Sequence, residues 1–282
     1  LNDRAMFADA TEEYRSPEEP SAGDTVKLKF RTAKYNVDRV EVVVNGIAYS
    51  MKKFMTNTNF DYYIAEFTLG AQRTEYYFHA LVGRTSIYYN QAGPYRELNP
   101  TYNFVINPGF KTPDWAKGAV IYQIYVDRFH NGDKSNDVVD NEYVYIGEPV
   151  HRITDWNEYP ATMDVRNFYG GDLQGVLDKM DYLESLGIDA IYFNPLFVSP
   201  SNHKYDIQDY DYIDPHFGVI VNDGGEPLPD NARSNDNATK YKKRVTDYAN
   251  LEASNEFFAK LVEEAHRRNI KVIIDGVFNH CG

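Results

Sequence analysis

Buried strands alternate with amphipathic helices after Ala119, and this alternation constrains the fold more than any other feature of the sequence. The apolar run "AVIYQIYVDRF" is typical of a strand buried on both faces, and "IDAIYFNPLF" and "IKVIIDGVFNH" contain two further buried strands. Strand–helix–strand–helix–strand order predicts parallel pairing with right-handed crossovers, as in a doubly wound sheet or a barrel.

Two helices are predicted between these strands. In "DLQGVLDKMDYLESLG" the apolar side chains recur on one helical face, and Gly187 is the expected end of the helix. In "SNEFFAKLVEEAHRRN" we expect Ser254 to cap the start of the second helix. The predicted buried faces consist of Leu173, Val176, Leu177, Met180, Leu183 and Leu186 in the first helix and Phe257, Phe258, Leu261, Val262 and Ala265 in the second.

The residues before this alternation follow a period of two. "TVKLKFRT" alternates apolar and basic side chains, and "VEVVVNG" ends on the turn signal Asn45-Gly46. "DYYIAEFTL" and "EYYFHALVG" repeat the pattern at the spacing of a sandwich. We therefore expect an antiparallel β-sandwich over residues 1–110, followed through the linker "NPGFKTP" by a second domain over residues 111–282.

Charge and composition exclude several classes of function. A net charge of −13 disfavours nucleic acid as a partner, and no apolar run is long enough for a membrane span. The single cysteine, Cys281, excludes an internal disulfide. The sequence contains no phosphate-binding glycine loop and no zinc-type Cys/His spacing. Its 24 tyrosines are consistent either with β-sheet composition or with a surface that stacks on sugar rings.

An oxygen-rich segment, "RFHNGDKSND", follows the first buried strand. Asn131, Asp133, Asn136 and Asp137 carry oxygen-bearing side chains that a turn at Gly132 would bring together. Hard oxygen donors at this density suit Ca²⁺, which takes six to eight ligands in irregular geometry. An ordinary Asx-rich turn is the alternative, because Asn-Gly and Ser-Asn-Asp also form turns.

Polar and aromatic residues follow the second and third strands, where a parallel sheet presents its ligand-facing loops. The candidates are His203, Tyr205 and Asp206 in the first loop and Asp275, Asn279 and His280 in the second. In the first loop, a tyrosine platform for a sugar with two hydrogen-bonding neighbours competes with a well-packed aromatic loop. In the second, a histidine that donates to a substrate hydroxyl competes with polar capping of the strand end.

Taken together, three segments resemble the α-amylase family of glycoside hydrolases, and within it the neopullulanase, cyclomaltodextrinase and maltogenic amylase group. They are "AVIYQIYVDRFHNGDKSND", "FYGGDLQGVLDKMDYLESLGIDAIYFNPLFVSPSNHKYDIQDYDYIDPHFG" and "LVEEAHRRNIKVIIDGVFNH". They cover most of residues 119–282 in the order of the family. The resemblance implies a multidomain protein, with a starch-binding-like module over residues 1–110 and the first units of a TIM (β/α)8 barrel truncated after its third strand.

The resemblance also assigns roles to the candidate residues. It implies a Ca²⁺ site at Asn131, Asp133, Asn136 and Asp137, completed by the Gly170 carbonyl and Asp172. It implies that Tyr205 stacks on the sugar beside the cleaved bond, that His203 lies next to it and that His280 contacts the same sugar. Asp206 is expected as a hydrogen-bonding partner from its place in the loop. Asp275 and Asn279 are implied as structural support.

The implied function is hydrolysis of α-1,4-glucosidic bonds in maltodextrin, cyclodextrin or pullulan. Retaining glycosidases use two carboxylates about 5 Å apart, and in this family both lie beyond the motif that ends this chain. We therefore expect the N-terminal part of an enzyme, inactive in isolation. A non-catalytic α-glucan-binding protein is an alternative, and so is a glucan transferase or isomerase of the same superfamily.

Two further expectations concern the surroundings of the site. Residues 219–253 form a polar insertion between "DPHFG" and the next helix, where the family has a short connection, and either a mobile loop or a wall of the cleft is expected. A homodimer is implied because N-terminal modules of this group pack against a partner's barrel.

Overall fold

The computed structural model describes residues 1–282, which form two compact units, Leu1–Asp114 and Trp115–Gly282. None of the α-helices has the length and apolar character of a membrane-spanning segment.

The first unit consists of antiparallel strands in two sheets. The strands are β1 (Arg15–Ser16), β2 (Thr25–Ala33), β3 (Arg39–Val44), β4 (Ile47–Ser50), β5 (Lys52–Thr56), β6 (Phe60–Thr68), β7 (Thr74–Val82), β8 (Thr85–Asn90), β9 (Gly93–Tyr95) and β10 (Phe104–Ile106). One sheet has the order β1-β2-β6-β5 and the other the order β4-β3-β7-β8-β9, with β10 paired to β7. Short 3-10 helices cover Asp3–Ala5 and Pro100–Tyr102.

The period of two in the sequence explains how these sheets pack. In β2 the apolar residues Val26, Leu28 and Phe30 are buried, and the basic residues between them lie on the other face. Phe30 stacks on Phe78 of the opposite sheet with a ring-centroid distance of 4.7 Å. The predicted sandwich is therefore confirmed.

The second unit contains a three-stranded parallel sheet whose strands lie side by side in chain order. These strands are β11 (Ile121–Ile124), β16 (Ala190–Phe193) and β19 (Lys271–Ile274), and shorter pairs are formed by β12 (Val144–Tyr145), β13 (Glu148–Pro149), β14 (His151–Arg152), β15 (Asn167–Phe168), β17 (Phe197–Val198) and β18 (Asp209–Ile213). Parallel pairing of three strands is what the sequence predicts. These three strands form an open sheet, and closure into a barrel stays a prediction.

The helices differ from the prediction in their bounds. They are α1 (Leu173–Asp178), α2 (Met180–Ser185), α3 (Thr239–Thr246) and α4 (Tyr248–Arg267), with 3-10 turns at Asp114–Ala116, Val126–Arg128 and Asp164–Arg166. The first predicted helix is interrupted at Lys179, whose ψ of 10° departs from helical values. Its buried face is otherwise largely as predicted, except that Leu186 is exposed, and Gly187 adopts φ +67° after its end.

Helix α4 begins six residues before the expected cap, so the prediction for Ser254 is wrong. Asp247 is the N-cap, and its carboxylate accepts from the Ala249 backbone N–H at 3.0 Å. The Ser254 hydroxyl instead lies buried within the helix, where it donates to the Asn250 carbonyl and accepts from the Val219 backbone N–H. Both Asp247 and Ser254 are therefore residue types that can cap a helix, and tertiary packing decides which of them marks its start.

The insertion at residues 219–253 contains α3 and the first turns of α4. Its apolar side chains Leu228, Tyr241 and Val245 are buried in a core that they share with Tyr143 and Phe168. A segment that is polar in composition thus contributes a folded part of the second unit.

Candidate functional site

The three parallel strands end in register, which brings the loops that follow them to one edge of the sheet. Ile124 pairs with Phe193, and Phe193 pairs with Ile274. The oxygen-rich segment follows the first of these strands, the His203–Tyr205 loop the second, and Asp275 follows Ile274 directly. The candidate residues therefore share one edge because parallel strands point the same way.

A pocket of about 530 Å³ lies between the loops after the second and third strands. It is lined by Tyr205, Asp275, Gly276, Val277, Phe278, Asn279 and His280. The Tyr205 hydroxyl donates to Asp275 Oδ2 at 3.0 Å, which ties the two loops together. Burial raises the pKa of Tyr205 to about 12, with a further contribution from its bond to Asp275, so the phenol is a neutral donor.

His203 fixes the backbone of Tyr205. Its Nδ1 accepts from the Tyr205 backbone N–H at 3.1 Å, and the two rings lie 5.8 Å apart between centroids. Burial lowers the pKa of His203, and the Lys204 charge adds to this against the opposing influence of Asp206. With Nδ1 as an acceptor, the neutral ring carries its proton on Nε2, which is a donor of the kind that binds a sugar hydroxyl.

Asp206 follows Tyr205 directly in this loop but is not among the residues that line the pocket. Its Oδ1 accepts from the Ser199 hydroxyl at 2.6 Å and from the Ser201 hydroxyl. Burial raises the pKa of Asp206, but hydrogen bonds from Ser199, Ser201 and Tyr145 outweigh it and the pKa is lowered. The carboxylate is thus ionised, and its Oδ1 is occupied by partners within the protein.

The third-strand loop presents His280 and Asn279 side by side. His280 Nδ1 and Asn279 Oδ1 are 2.6 Å apart, and both residues are exposed. The Tyr210 hydroxyl donates to the backbone carbonyls of Val277 and His280, and the Tyr210 ring stacks on Phe278. Tyr210 therefore contacts and supports residues 277–280 of the pocket lining.

Several residues at this edge are not among the candidates predicted from the sequence. Burial, together with the interaction of its hydroxyl with the Asp275 carboxylate, raises the pKa of Tyr192 on β16. Phe278 lines the pocket with 89% of its surface exposed. Lys204, between His203 and Tyr205, is buried at 1% exposure. The strand period and the proximity to predicted residues were signals for Tyr192 and Phe278, but no local pattern indicates that a lysine is buried.

The oxygen-rich segment converges on Gly170. Gly170 adopts φ +82°, and a Cβ there would overlap Asp137 Oδ1 and Asn131 Nδ2, so only glycine fits. The Asp127 carboxylate fixes the backbone at Gly170, because it accepts hydrogen bonds from the N–H groups of Tyr169 and Gly170. Three of the six predicted metal-ligating residues therefore meet at one point.

Within the predicted metal set, two amide oxygens are buried without a hydrogen-bonding partner, Asn131 Oδ1 and Asn136 Oδ1, whereas Asp137 Oδ2 forms an ion pair with Arg152. Unpaired buried acceptors are uncommon in folded proteins and call for a water or an ion. Within residues 1–282 no three His, Cys, Asp or Glu side chains are grouped so that they hold a metal by themselves. A cation at this point would therefore take amide and carbonyl oxygens as well as the Asp137 carboxylate.

The two other acidic members of the predicted metal set have different partners. Asp172 is buried and accepts four hydrogen bonds, from the backbone N–H groups of Gly132, Asp133 and Gly175 and from Asn136 Nδ2. Asp133 Oδ1 accepts from the backbone and hydroxyl of Ser135. Asp172 thus positions the loop on the start of α1, and Asp133 closes a turn within it.

Two family models match the chain. The "Alpha amylase, N-terminal ig-like domain" model matches residues 18–107, and the "Alpha amylase, catalytic domain" model matches residues 123–236.

Curated relatives match nearly the whole chain. A cyclomaltodextrinase of Thermoanaerobacter pseudethanolicus is 37% identical over 93% of this chain and 40% of its own length. Neopullulanase 2 of Thermoactinomyces vulgaris is 34% identical over 99% of this chain and 41% of its own length. A solved structure of a cyclomaltodextrinase superposes on all of this chain and 42% of its own with a TM-score of 0.50 and 29% identity. The chain thus spans about 40% of the length of the curated relatives that it matches.

Proposed function

Because this chain belongs to the α-amylase family of glycoside hydrolases, we propose that it forms part of an enzyme that hydrolyses α-1,4-glucosidic bonds. The substrates would be maltodextrin, cyclodextrin or pullulan. The proposal extends to this chain what the names of its relatives indicate for them, and it takes the pocket at Tyr205 as a glucose-binding subsite.

The hydrogen bond between Tyr205 and Asp275 is the observation that carries this proposal. It fixes a tyrosine ring at the wall of a pocket that also holds an exposed histidine and an amide. The C–H face of a glucose ring packs on an aromatic ring, while the hydroxyls at its edge need donors and acceptors. Tyr205 would supply the stacking surface, and His203 Nε2 and the His280 ring would bind the hydroxyls.

We further propose a retaining mechanism whose nucleophile and acid/base lie outside residues 1–282. Retaining hydrolysis uses two carboxylates about 5 Å apart. Asp275 is the single carboxylate among the residues that line this pocket, and its Oδ2 is already bonded to Tyr205. Residues 1–282 alone are therefore expected to bind an α-glucan without cleaving it.

We also propose Ca²⁺ as a structural cofactor at the cluster around Gly170. Asn131, Asn136, Asp137 and the Gly170 carbonyl would hold the ion, with Asp133 and Asp172 organising the loop that carries them. Ca²⁺ would supply a positive centre for the unpaired amide oxygens and would fix the loop after the first strand. Isothermal titration calorimetry of Ca²⁺ into chelator-treated protein, with Asn136→Ala as the deficient variant, tests this assignment. Heat that is identical in both proteins would refute it.

Glucan binding and glucan cleavage are tested separately. We expect isothermal titration calorimetry to detect β-cyclodextrin or maltotetraose binding, and a reducing-sugar assay on protein of verified mass to detect no release. Absence of binding would overturn the assignment of the pocket. Release of reducing sugar would overturn the placement of the catalytic carboxylates.

A homodimer is proposed from the resemblance alone. Light scattering on the complete enzyme measures its mass directly, and a monomer would contradict the proposal.

A further inference from the structure

Five buried ionisable side chains form a continuous row through the second unit, with charges that alternate in sign. The row is Lys204, Asp214, His216, Glu142 and Arg244, each at most 4% exposed. Each member contacts the next at 2.6 to 2.9 Å. A buried charge is costly unless it is paired, so each member depends on its neighbours. We call this row the ion chain.

One end of the ion chain lies inside the loop that carries the glucan-binding candidates. Lys204 adopts φ +60°, a left-handed conformation that non-glycine residues seldom occupy. Its Nζ donates to Asp214 Oδ2 and to the Ser199 carbonyl, both at 2.6 Å. Asp214 Oδ2 also accepts from the Ser199 backbone N–H. The charge on Lys204 thus holds the backbone between His203 and Tyr205 in a strained conformation.

The middle of the ion chain is a doubly hydrogen-bonded histidine. His216 Nδ1 lies 2.8 Å from Asp214 Oδ1, and its Nε2 lies 2.7 Å from Glu142 Oε1. Both contacts are hydrogen bonds only if both ring nitrogens carry protons, since carboxylates accept. With His216 as an imidazolium, the five side chains carry charges that alternate in sign from Lys204 to Arg244.

The other end of the ion chain comes from the insertion at residues 219–253. Arg244 on α3 donates to Glu142 Oε2 at 2.9 Å and to the Asp137 backbone carbonyl at 2.8 Å. Its Nε and second terminal nitrogen donate to the two carboxylate oxygens of Asp223, at 2.9 and 2.8 Å. A planar guanidinium is the side chain that can make this set of contacts at once.

We propose that Arg244 and His216 are positioning residues of the glucan pocket, which they hold through the ion chain without touching the ligand. The insertion then belongs to the substrate site, because it supplies Arg244, one of the two cations that pair with Glu142. With Arg244 removed, Glu142 would lack its cation on that side, and the pairing that continues through His216 and Asp214 to Lys204 would be weakened. The strained backbone that presents Tyr205 would relax. This inference rests on the proposed function for the identity of the ligand.

Hydrogen exchange measured by mass spectrometry tests the coupling without any ligand. The Lys204 N–H donates to Ser201 Oγ and the Tyr205 N–H to His203 Nδ1, so residues 199–206 report on the loop. We expect Arg244→Lys, which keeps the charge but not the planar fork, to reduce protection of this peptide about tenfold. Arg244→Gln should reduce it further. Protection of the Ala190–Phe193 strand should stay unchanged and serves as the reference for global stability.

A matched control lies in the same insertion. Arg233 pairs with Glu148 at 3.0 Å on the surface, with 62% of its side chain exposed. Arg233→Lys should leave the exchange of residues 199–206 unchanged. If Arg244→Gln does not fold, Arg244→Lys carries the test. Loss of protection confined to residues 219–253 and 137–142 in Arg244→Lys would overturn the proposal.

Glucan affinity separates this inference from the proposed function. We expect Arg244→Lys to weaken β-cyclodextrin binding about fivefold to tenfold at a temperature where it is fully folded, and Arg233→Lys to have no effect. Unchanged affinity in Arg244→Lys with the wild type binding normally would overturn the positioning role. If the wild type binds no glucan but exchange shows the coupling, the proposed function is refuted and the coupling of the loop is supported.

Discussion

The Tyr205 hydroxyl lies 3.0 Å from Asp275 Oδ2, so a residue after the second parallel strand is fixed by the residue that follows the third. The two positions are 70 residues apart in the chain. Their meeting depends on the register of Phe193 with Ile274, which places both strand ends at the same height. The bond turns two separate loops into one wall of a pocket.

Replacing Tyr205 should separate stacking from hydrogen bonding. We expect Tyr205→Ala to weaken binding of maltotetraose or β-cyclodextrin at least tenfold, about 1.4 kcal/mol, because the stacking surface is lost. Tyr205→Phe keeps the ring and should retain most of the affinity, while losing about 1 kcal/mol of stability with the bond to Asp275. Calorimetry gives the affinities. Tyr159→Ala, at a tyrosine that is 93% exposed, is the control, and equal losses at both sites would contradict the assignment.

Two glycines with similar backbone conformations should respond differently to a methyl group. Gly170 has φ +82° and Gly187 has φ +67°, so alanine is strained by about 1 to 2 kcal/mol at either position. Gly187 has free space where its Cβ would lie, whereas a Cβ on Gly170 would overlap Asp137 and Asn131. We therefore expect Gly170→Ala to abolish the rise in Tm on adding Ca²⁺, and Gly187→Ala to preserve it.

Differential scanning calorimetry with and without Ca²⁺ makes this comparison. At a Ca²⁺ concentration one hundred times Kd, the wild type should gain about 2.7 kcal/mol. Mg²⁺ at the same concentration should stabilise less, since it requires a smaller octahedral site. A Ca²⁺-dependent shift of the same size in Gly170→Ala would show that the ion binds elsewhere.

His216 should make the stability of the second unit depend on pH on the alkaline side. Burial alone lowers the pKa of His216, but the charges of Glu142 and Asp214 outweigh it and raise the pKa above its usual 6.5. The stabilisation from the imidazolium is therefore complete below pH 6.5 and is lost as pH rises through the raised pKa. The charged groups around the ring are Asp214 and Glu142, with Lys204 and Arg244 one contact further, and Tyr241 stacks on it.

Urea unfolding between pH 6 and 9 tests this expectation. Both tryptophans, Trp115 and Trp156, belong to the second unit, so their fluorescence reports on it. The free energy of unfolding should fall by up to about 1.4 kcal/mol per pH unit in the wild type above pH 6.5. His216→Gln, which has no ionisable ring, should be less stable at pH 6 and should show a flatter profile. Identical slopes in the two proteins would mean that His216 is neutral when folded.

Replacing Glu142 and Glu148 in turn by glutamine compares how much a buried and an exposed carboxylate contribute to stability. Glu142 is fully buried between His216 and Arg244, whereas Glu148 is about half exposed and pairs with Arg233. Glu142→Gln removes the carboxylate that two buried cations share, leaving His216 with Asp214 and Arg244 with Asp223, and should cost about 3 to 5 kcal/mol of stability. Glu148→Gln should cost less than about 1 kcal/mol. Urea unfolding measures both, and comparable losses would contradict the assignment of the buried row as a coupled unit.

Local patterns account for much of the fold. Alternation in β2 places Val26 and Leu28 in the core because successive side chains in a strand point to opposite faces. The 3.6-residue period buries Leu173 and Leu183 on one helical side, and Gly187 ends the helix in the left-handed conformation. These features depend on residues that are close in the chain, so they can be predicted from one sequence.

The sequence also indicated which residues gather at the candidate site. Tyr205, Asp275 and His280 line one pocket because they follow strands that run in parallel. Asp206 belongs to the same motif, yet its Oδ1 accepts hydrogen bonds from Ser199 and Ser201 and the residue does not line the pocket. The sequence therefore predicted which residues lie at this edge of the sheet, but not whether each side chain faces the pocket or bonds to the protein.

The family of this protein, its strand and helix periods and the loops that carry its candidate residues can all be inferred from the amino-acid sequence alone. Tertiary structure decided which partner each polar group has. Ser254 is a plausible cap by residue type, but the helix begins earlier, at Asp247. Arg244 bonds to Glu142, which lies 102 positions away in the chain. The physical reason is that burial makes an unpaired charge or hydroxyl costly, so its partner is chosen by the packing of distant segments.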